Sequence, residues 1–532
     1  SEQARAVTHA DGPLLILAGA GSGKTKTLTH RIAYLIGELK IFPSRILAVT
    51  FTNKAAKEMR QRLAQILGED SENRQFMPWM GTFHSICVRM LRMDGENIGL
   101  NKRFLIYDTD DQISLMKQIM KSRGLTDKDI KPRAVLSAIS NAKNEMRNAE
   151  DFSASTRGPR EQKIAELFFA YEKALKDTSA LDFDDLLIKT VELLRSKPDI
   201  RHKWQQQFEH ILIDEYQDTN AVQYALIKLL VNSRRNLCVV GDDAQSIYSF
   251  RGADYTNILN FERDFPGTTV VKLEQNYRST GAILNMANAL ISHNIHRTDK
   301  SLWTANGDGV EPKLWQLYNE SEEALAIANE IQAQIANGRQ YGDVAVLYRT
   351  NAQSYAIERA LRQSYIPYKI VGGLRFLDRA VVKDLLAYLR LLYQPSDRVS
   401  FLRIVNTPKR GVGAVSISKF LDWNDTSGKD IISGLLAVEE ADTLTARAKR
   451  PLLEFGQKLH DLQQEIDGSP AELIEKIMKS TGYEDFINDG TPQAEERMEN
   501  IGVLLSEAKA YVDVATFLEE MALMSSTDTT AD

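Results

Sequence analysis

The chain has 532 residues, 43% of them hydrophobic, with 66 Lys and Arg against 72 Asp and Glu for a net charge of −6. Such a composition belongs to a globular chain long enough for several domains; it excludes a uniformly basic coat for nucleic acid, though not a local basic groove. No apolar run approaches the roughly 18 residues of a membrane span and no basic-then-apolar leader is seen, while Cys87 and Cys238 lie apart in apolar segments and read as buried thiols of a reducing, cytoplasmic setting.

The first element is the apolar run Leu14-Leu15-Ile16-Leu17, a buried strand, followed by Ala18-Gly19-Ala20-Gly21-Ser22-Gly23-Lys24-Thr25 and the amphipathic stretch Leu28 to Ile36. Strand, glycine turn and helix in that order make a phosphate cradle. Backbone N–H groups and the positive helix end face a polyphosphate, Lys24 reaches its terminal phosphates, and Thr25 offers a hydroxyl to Mg²⁺. Ala18 stands where the strict pattern has glycine, a position that needs only a small residue. The expected ligand is a nucleoside triphosphate.

The next strand ending in carboxylates is Ile211-Leu212-Ile213, followed by Asp214-Glu215-Tyr216-Gln217-Asp218. Asp214 is suited to hold Mg²⁺ and Glu215 to polarise the water that attacks the γ-phosphate; the alternative is a solvated strand end. The interval from Lys24 is roughly twice what a compact nucleotide-binding core requires, so an inserted domain is expected, helical and charged over 91–181. A third strand, Leu237 to Val240, leads into Gly241-Asp242-Asp243-Ala244-Gln245-Ser246-Ile247-Tyr248-Ser249-Phe250-Arg251. There Gln245 can sense a γ-phosphate, and the aromatics with Arg251 suit stacked single-stranded bases, the alternative being core packing. Val270 to Leu273, Lys313 to Trp315, Val344 to Leu347 and Tyr368 to Val371 alternate with helical stretches and predict a second parallel sheet. From Arg379 onward the pattern is almost wholly helical. Within Gln275-Asn276-Tyr277-Arg278-Ser279, Arg278 can stabilise charge on a transferred phosphoryl group from a second domain.

These motifs, together with Gln3, Thr50 to Ala56, Thr82-Phe83-His84-Ser85, Leu181-Asp182-Phe183-Asp184-Asp185, Leu347 to Ser354 and Pro408 to Gly413, follow one another in an order that resembles the bacterial superfamily 1 DNA helicases of the UvrD, Rep and PcrA type. The resemblance implies an α/β architecture: a P-loop RecA-like motor domain and a partial second RecA-like domain, each carrying a helical insert. The expected division is 1–90 with 182–275, insert 91–181, second motor domain 276–378 and insert 379–532.

By the same resemblance ATP and Mg²⁺ are the cofactors. Gln3 reads the adenine edge, Tyr277 stacks on the base, and Lys26 replaces the family's usual arginine, giving a poorer stack. Phe51, Phe183, Tyr248 and Phe250 match positions that stack single-stranded DNA, Phe250 in place of tryptophan, and Asn53, Thr82, His84, Arg251 and Arg349 match positions near the DNA track. Asp182 has the alternative of an ordinary helix N-cap. The implied activity is ATP-dependent 3′ to 5′ translocation on single-stranded DNA and unwinding at junctions with duplex, alongside repair or replication proteins. Two further family motifs, one with a second arginine finger, have no counterpart after Phe517-Leu518-Glu519-Glu520-Met521. The chain is therefore expected to stop near the end of the second insert and to leave a second sheet with an exposed edge. Because one such finger is worth ~10³-fold or more in rate, the alternative is a nucleotide-gated single-stranded DNA binding or regulatory module without effective hydrolysis.

Overall fold

The computed structural model describes residues 1–532 except 74, 127, 250, 251, 296, 371–376, 378, 489–491 and 528–532, and the backbone alone of 351, 352, 492, 493, 496 and 524–527. Its centre is a six-stranded sheet in the order Met80–Thr82, Ile46–Thr50, His210–Ile213, Leu237–Gly241, Leu14–Ala18, Thr269–Leu273. Every pairing is parallel, with Leu14 opposite Cys238 on one side and Thr269 on the other. Parallel strands need crossovers that cover both faces, so they read as unbroken apolar runs.

Strand alternation sorts each run between two cores. Leu15, Leu17, Leu47, Val49, Ile211, Ile213 and Val239 share one cluster with residues of the helices Phe83–Asp94, Phe183–Ser196 and Ala221–Leu230. Leu14, Ile16, Ile46, Ala48, Leu212, Cys238 and Val240 share the other with Leu28 and Ile32 of Lys24–Gly37 and Met59 and Leu63 of Asn53–Leu67. Cys87 and Cys238 are free, buried thiols on opposite faces, and burial pushes their pKa values up to about 12 and about 11.

The chain leaves this unit through Leu105–Ile106 and returns through Ala180–Leu181, which pair in parallel. Between them the helices Thr109–Ser122, Pro132–Asn144 and Pro159–Asp177 enclose Met116, Ile139, Phe168 and Tyr171. A second helical body, formed by the described residues between Leu377 and Met521, packs around Leu385, Phe401, Leu452, Ile474 and Phe517. The two bodies meet where the Tyr107 hydroxyl donates to Asp397 at 2.8 Å and Arg390 pairs with Asp111 at 2.5 Å. Among the described residues no helix is long and apolar enough to cross a membrane.

The expected second sheet is corrected. The Val270 to Leu273 run forms the edge strand Thr269–Leu273 of the first sheet, beside Leu14–Ala18. Lys313 to Trp315, Val344 to Leu347 and Tyr368 to Ile370 are not strands, and Val371 lies outside the described residues. A strand exists only where its N–H and C=O groups find a ladder partner. Here Leu314 and Leu347 stand 96% and 93% exposed, while the helices Glu320–Ala336 and Asn351–Gln363 pack on each other through Ala328, Ile331 and Leu361. The described residues of this region add one two-stranded pair, Gln275–Asn276 with Trp303–Thr304.

His210 begins a central strand and is 5% exposed; burial and then the Arg31 charge lower its pKa to about 4. A histidine depressed in the folded state is stabilising to the fold above its unfolded pKa of about 6.5, and that contribution is lost as pH falls from there to about 4. Chemical denaturation should show a loss on the order of 3 kcal/mol across this window, and His210→Gln should remove that part of the pH dependence.

Candidate active site

Because all six strands run the same way, the segments after them emerge at one edge of the sheet. The loop after Leu14–Ala18 reaches the helix Lys24–Gly37 through Gly21 and Gly23, whose φ values of 68° and 86° are left-handed. Ala18, fully buried, ends the strand, and the Ser22 hydroxyl donates to the Gly19 carbonyl at 2.7 Å. Gly23 caps the helix without a side-chain acceptor, so the first-turn N–H groups point into the loop. The Gln3 amide donates to the Ser22 carbonyl at 2.9 Å, Thr25 is half-buried on the first turn and Lys26 is exposed.

Across the loop, the Lys24 ammonium donates to Glu215 Oε2 at 2.8 Å. Glu215 holds a left-handed φ of 49°, and its N–H donates to its neighbour Asp214 at 3.0 Å. Such a conformation is costly for a non-glycine residue and survives where the surroundings fix it. Burial first, then the Glu215 charge, raises Asp214 to about 7, against the pull of Lys24. Thr25 and Asp214 offer a hydroxyl and a carboxylate, and with phosphate oxygens these make the all-oxygen set that magnesium prefers; the residues fit that ion.

Beside the acids, Gln245 donates to Asp242 Oδ2 at 2.5 Å. Lys300 pairs with the other oxygen of Asp242 and, at 2.7 Å, with Asp243, while the Thr298 N–H donates to Asp243 at 2.8 Å. The 273–302 segment also closes over the phosphate loop. The Asn276 amide donates to the Ala20 carbonyl at 2.6 Å and the Tyr277 N–H to the Gly21 carbonyl at 3.0 Å. A Cβ on Gly21 would lie 2.9 Å from Arg278 Cβ, and one on Gly19 would overlap Leu302. Tyr277 and Arg278 are both exposed at this rim.

A groove of about 420 Å³ runs past the same sheet edge, lined by Phe51, Thr82, His84, Asn144, Phe183, Asp184, Asp218, Asn220 and Tyr248 among others. The rings of Phe51 and Phe83 meet edge-on at 6.2 Å, and those of His84 and Phe183 at 5.6 Å. Thr82 caps the helix Phe83–Asp94. Asn53 directs its amide at the Leu523 carbonyl, 3.5 Å away, and Arg349 sits exposed before the helix Asn351–Gln363 without lining the groove. Phe250 and Arg251 lie outside the described residues.

Asp182 is the N-cap of Phe183–Ser196, in a capping box with Asp185. Lys143, from the first helical body, is 3% exposed and donates to Asp182 at 2.9 Å and Asp185 at 2.6 Å, with Glu172 at 2.8 Å. Burial pulls the Lys143 pKa down, but these three carboxylates outweigh it and hold it well above its ordinary value. Neighbouring Asn144 donates to Asp184 and accepts from Asn220. Lys143, Asn144, Asn220 and Lys300 were not singled out from the sequence; the partners that bring them to the site, Asp182, Asp184, Asn144 and Asp242, lie 39, 40, 76 and 58 positions away. Gln217 and Asp218 were quoted within a motif but given no role, although the repeated polar residues after Asp214-Glu215 were a usable signal.

Removing one partner of a buried ion cluster leaves charge uncompensated at a cost of about 3–5 kcal/mol. Lys143→Met should lower the unfolding free energy by that order in denaturant titration, and a Lys143→Arg variant should lose less.

The match to known proteins covers both halves. The family profile of the UvrD/REP helicase N-terminal domain fits residues 1–266, and that of the UvrD-like helicase C-terminal domain fits 271–527. The chain is 43% identical over 544 residues to the ATP-dependent DNA helicase PcrA of Leuconostoc citreum and 44% identical over 537 residues to that of Bacillus subtilis (strain 168), covering 99% of this chain and 72% of each relative. The PcrA of Staphylococcus aureus (strain COL) is 42% identical over 529 residues, 99% of this chain and 71% of its own length. A P-loop on a parallel sheet, acids at the adjacent strand ends and two matching profiles lead to one assignment: the chain belongs to the UvrD/Rep helicase family.

Proposed function

We propose that the protein is an ATP-dependent DNA helicase that moves 3′ to 5′ on single-stranded DNA in the cytoplasm and opens duplex at junctions. The observation that carries this reading is the Lys24–Glu215 pair, 2.8 Å apart at the phosphate loop, with an aromatic groove on the same sheet edge. Lys24 and the N–H groups of the first turn bind the ATP phosphates, Gln3 and Tyr277 flank the base, and Thr25 and Asp214 hold magnesium. When bound, that ion draws negative charge from the phosphate oxygens.

Substrate phosphates compete for Lys24, which frees Glu215 to accept a proton from the attacking water. Gln245 senses the γ-phosphate and Arg278 balances its charge. In the groove, Phe51, Phe183 and Tyr248 present ring faces and edges to bases, while Thr82, Asn144 and Asn220 offer donors to the backbone. The proposed division assigns the six-stranded unit, 1–90 with 182–275, to the first motor domain with the helical insert 91–181, and 276–378 to the second with the helical insert 379–532.

Glu215→Gln should abolish ATP turnover while ATP and single-stranded DNA still bind; retained turnover would refute the role given to Glu215. Phe183→Ala should weaken single-strand affinity by about 1–3 kcal/mol if the ring stacks on a base, as read by fluorescence anisotropy with oligothymidylate. Unchanged affinity would remove Phe183 from the track.

A further inference from the structure

Gln217 is 1% exposed and uses all its side-chain polarity at once. Its amide donates to Glu215 Oε2 at 3.0 Å and to Asp218 Oδ2 at 3.1 Å, and its carbonyl accepts the Asp242 N–H at 2.9 Å. Asp218 lines the groove, Glu215 faces the phosphate loop and Asp242 receives Gln245. Gly241 makes this convergence sterically feasible, because a Cβ there would lie 2.6 Å from Gln217 Oε1.

We propose that Gln217 is the positioning residue through which occupancy of the groove reaches the catalytic carboxylate. The inference rests on the reading of Glu215 as the group that activates water. One planar amide bonds two carboxylates, so a shift of Asp218 on the groove side displaces the donor that Glu215 depends on. Lys24 is the other donor on Glu215 Oε2. Once substrate phosphates engage Lys24, the Gln217 amide alone of the two fixes where that oxygen points. The Asp242 N–H holds the far end of Gln217 still, so displacement at Asp218 becomes rotation of the amide rather than escape of the side chain. A buried group with every polar atom bonded has few alternative positions.

The test is ATP turnover of the full-length protein with and without oligothymidylate. Gln217→Met, similar in length and without hydrogen-bonding atoms, should cut the stimulation by DNA about tenfold or more, while the KM for ATP and the single-strand affinity stay within about threefold. Asp218→Ala, which severs only the groove end, should lower the stimulation as well, and the double variant should lose no more than the worse single. Full stimulation in both singles, additive losses in the double, or equal loss of basal and stimulated turnover would overturn the proposal. Should Gln217→Met fail to fold, Asp218→Ala decides alone by the same ratio. Glu215→Gln separates the two readings: normal turnover there refutes the base, whereas abolished turnover with stimulation intact in Gln217→Met refutes only the link.

Discussion

The rest of the structure depends on the common direction of six parallel strands. With every ladder parallel, the loops that follow Leu14–Ala18, His210–Ile213 and Leu237–Gly241 must leave at the same edge. That edge gathers Lys24, Asp214, Glu215, Asp242 and Gln245 from positions far apart in the chain. The sheet must be covered on both faces to be stable, which confines the polar groups of the site to the edge and leaves Asp214 and Asp242 buried there.

Burial sets the electrostatics. Asp214 is driven up to about 7 by burial and by Glu215, and Asp218 to about 7 by burial and the same neighbour. Buried polar groups are tolerated only when bonded, and here the bonds that satisfy them also fix geometry. Gln217 serves three groups, Lys300 serves the adjacent pair Asp242 and Asp243, and Lys143 serves Glu172 together with Asp182 and Asp185, the two carboxylates that cap the helix bearing Phe183. The groove and the phosphate loop are thus joined by hydrogen bonds along one edge of the sheet.

Local patterns carried much of this into the sequence. The phosphate loop is legible because strand, glycines, lysine and helix are contiguous, and the acid pair because it directly follows an apolar run. Asp182 as an N-cap is equally local. What escaped is non-local: Lys143 meets its carboxylates 39 and 42 positions away, and Lys300 meets Asp242 across 58. No periodicity records such pairs. The run Val270 to Leu273 was rightly a strand but wrongly placed, since an apolar run states that it must be paired and says nothing of the partner. Lys313 to Trp315 and Val344 to Leu347 show the converse, β-like composition without a neighbouring strand to complete the ladder.

By itself, then, the sequence determined which residue types stand at each strand end, the family resemblance and the helical character of the residues after Arg379, because those follow from neighbours along the chain. Only the tertiary structure decided which sheet the Thr269–Leu273 strand joins, that Lys24 rests on Glu215, and that Gln217 stands between the groove and the acids. The reason is burial. Which polar groups leave water together, and which must therefore bond one another, is fixed when the sheet closes and not before.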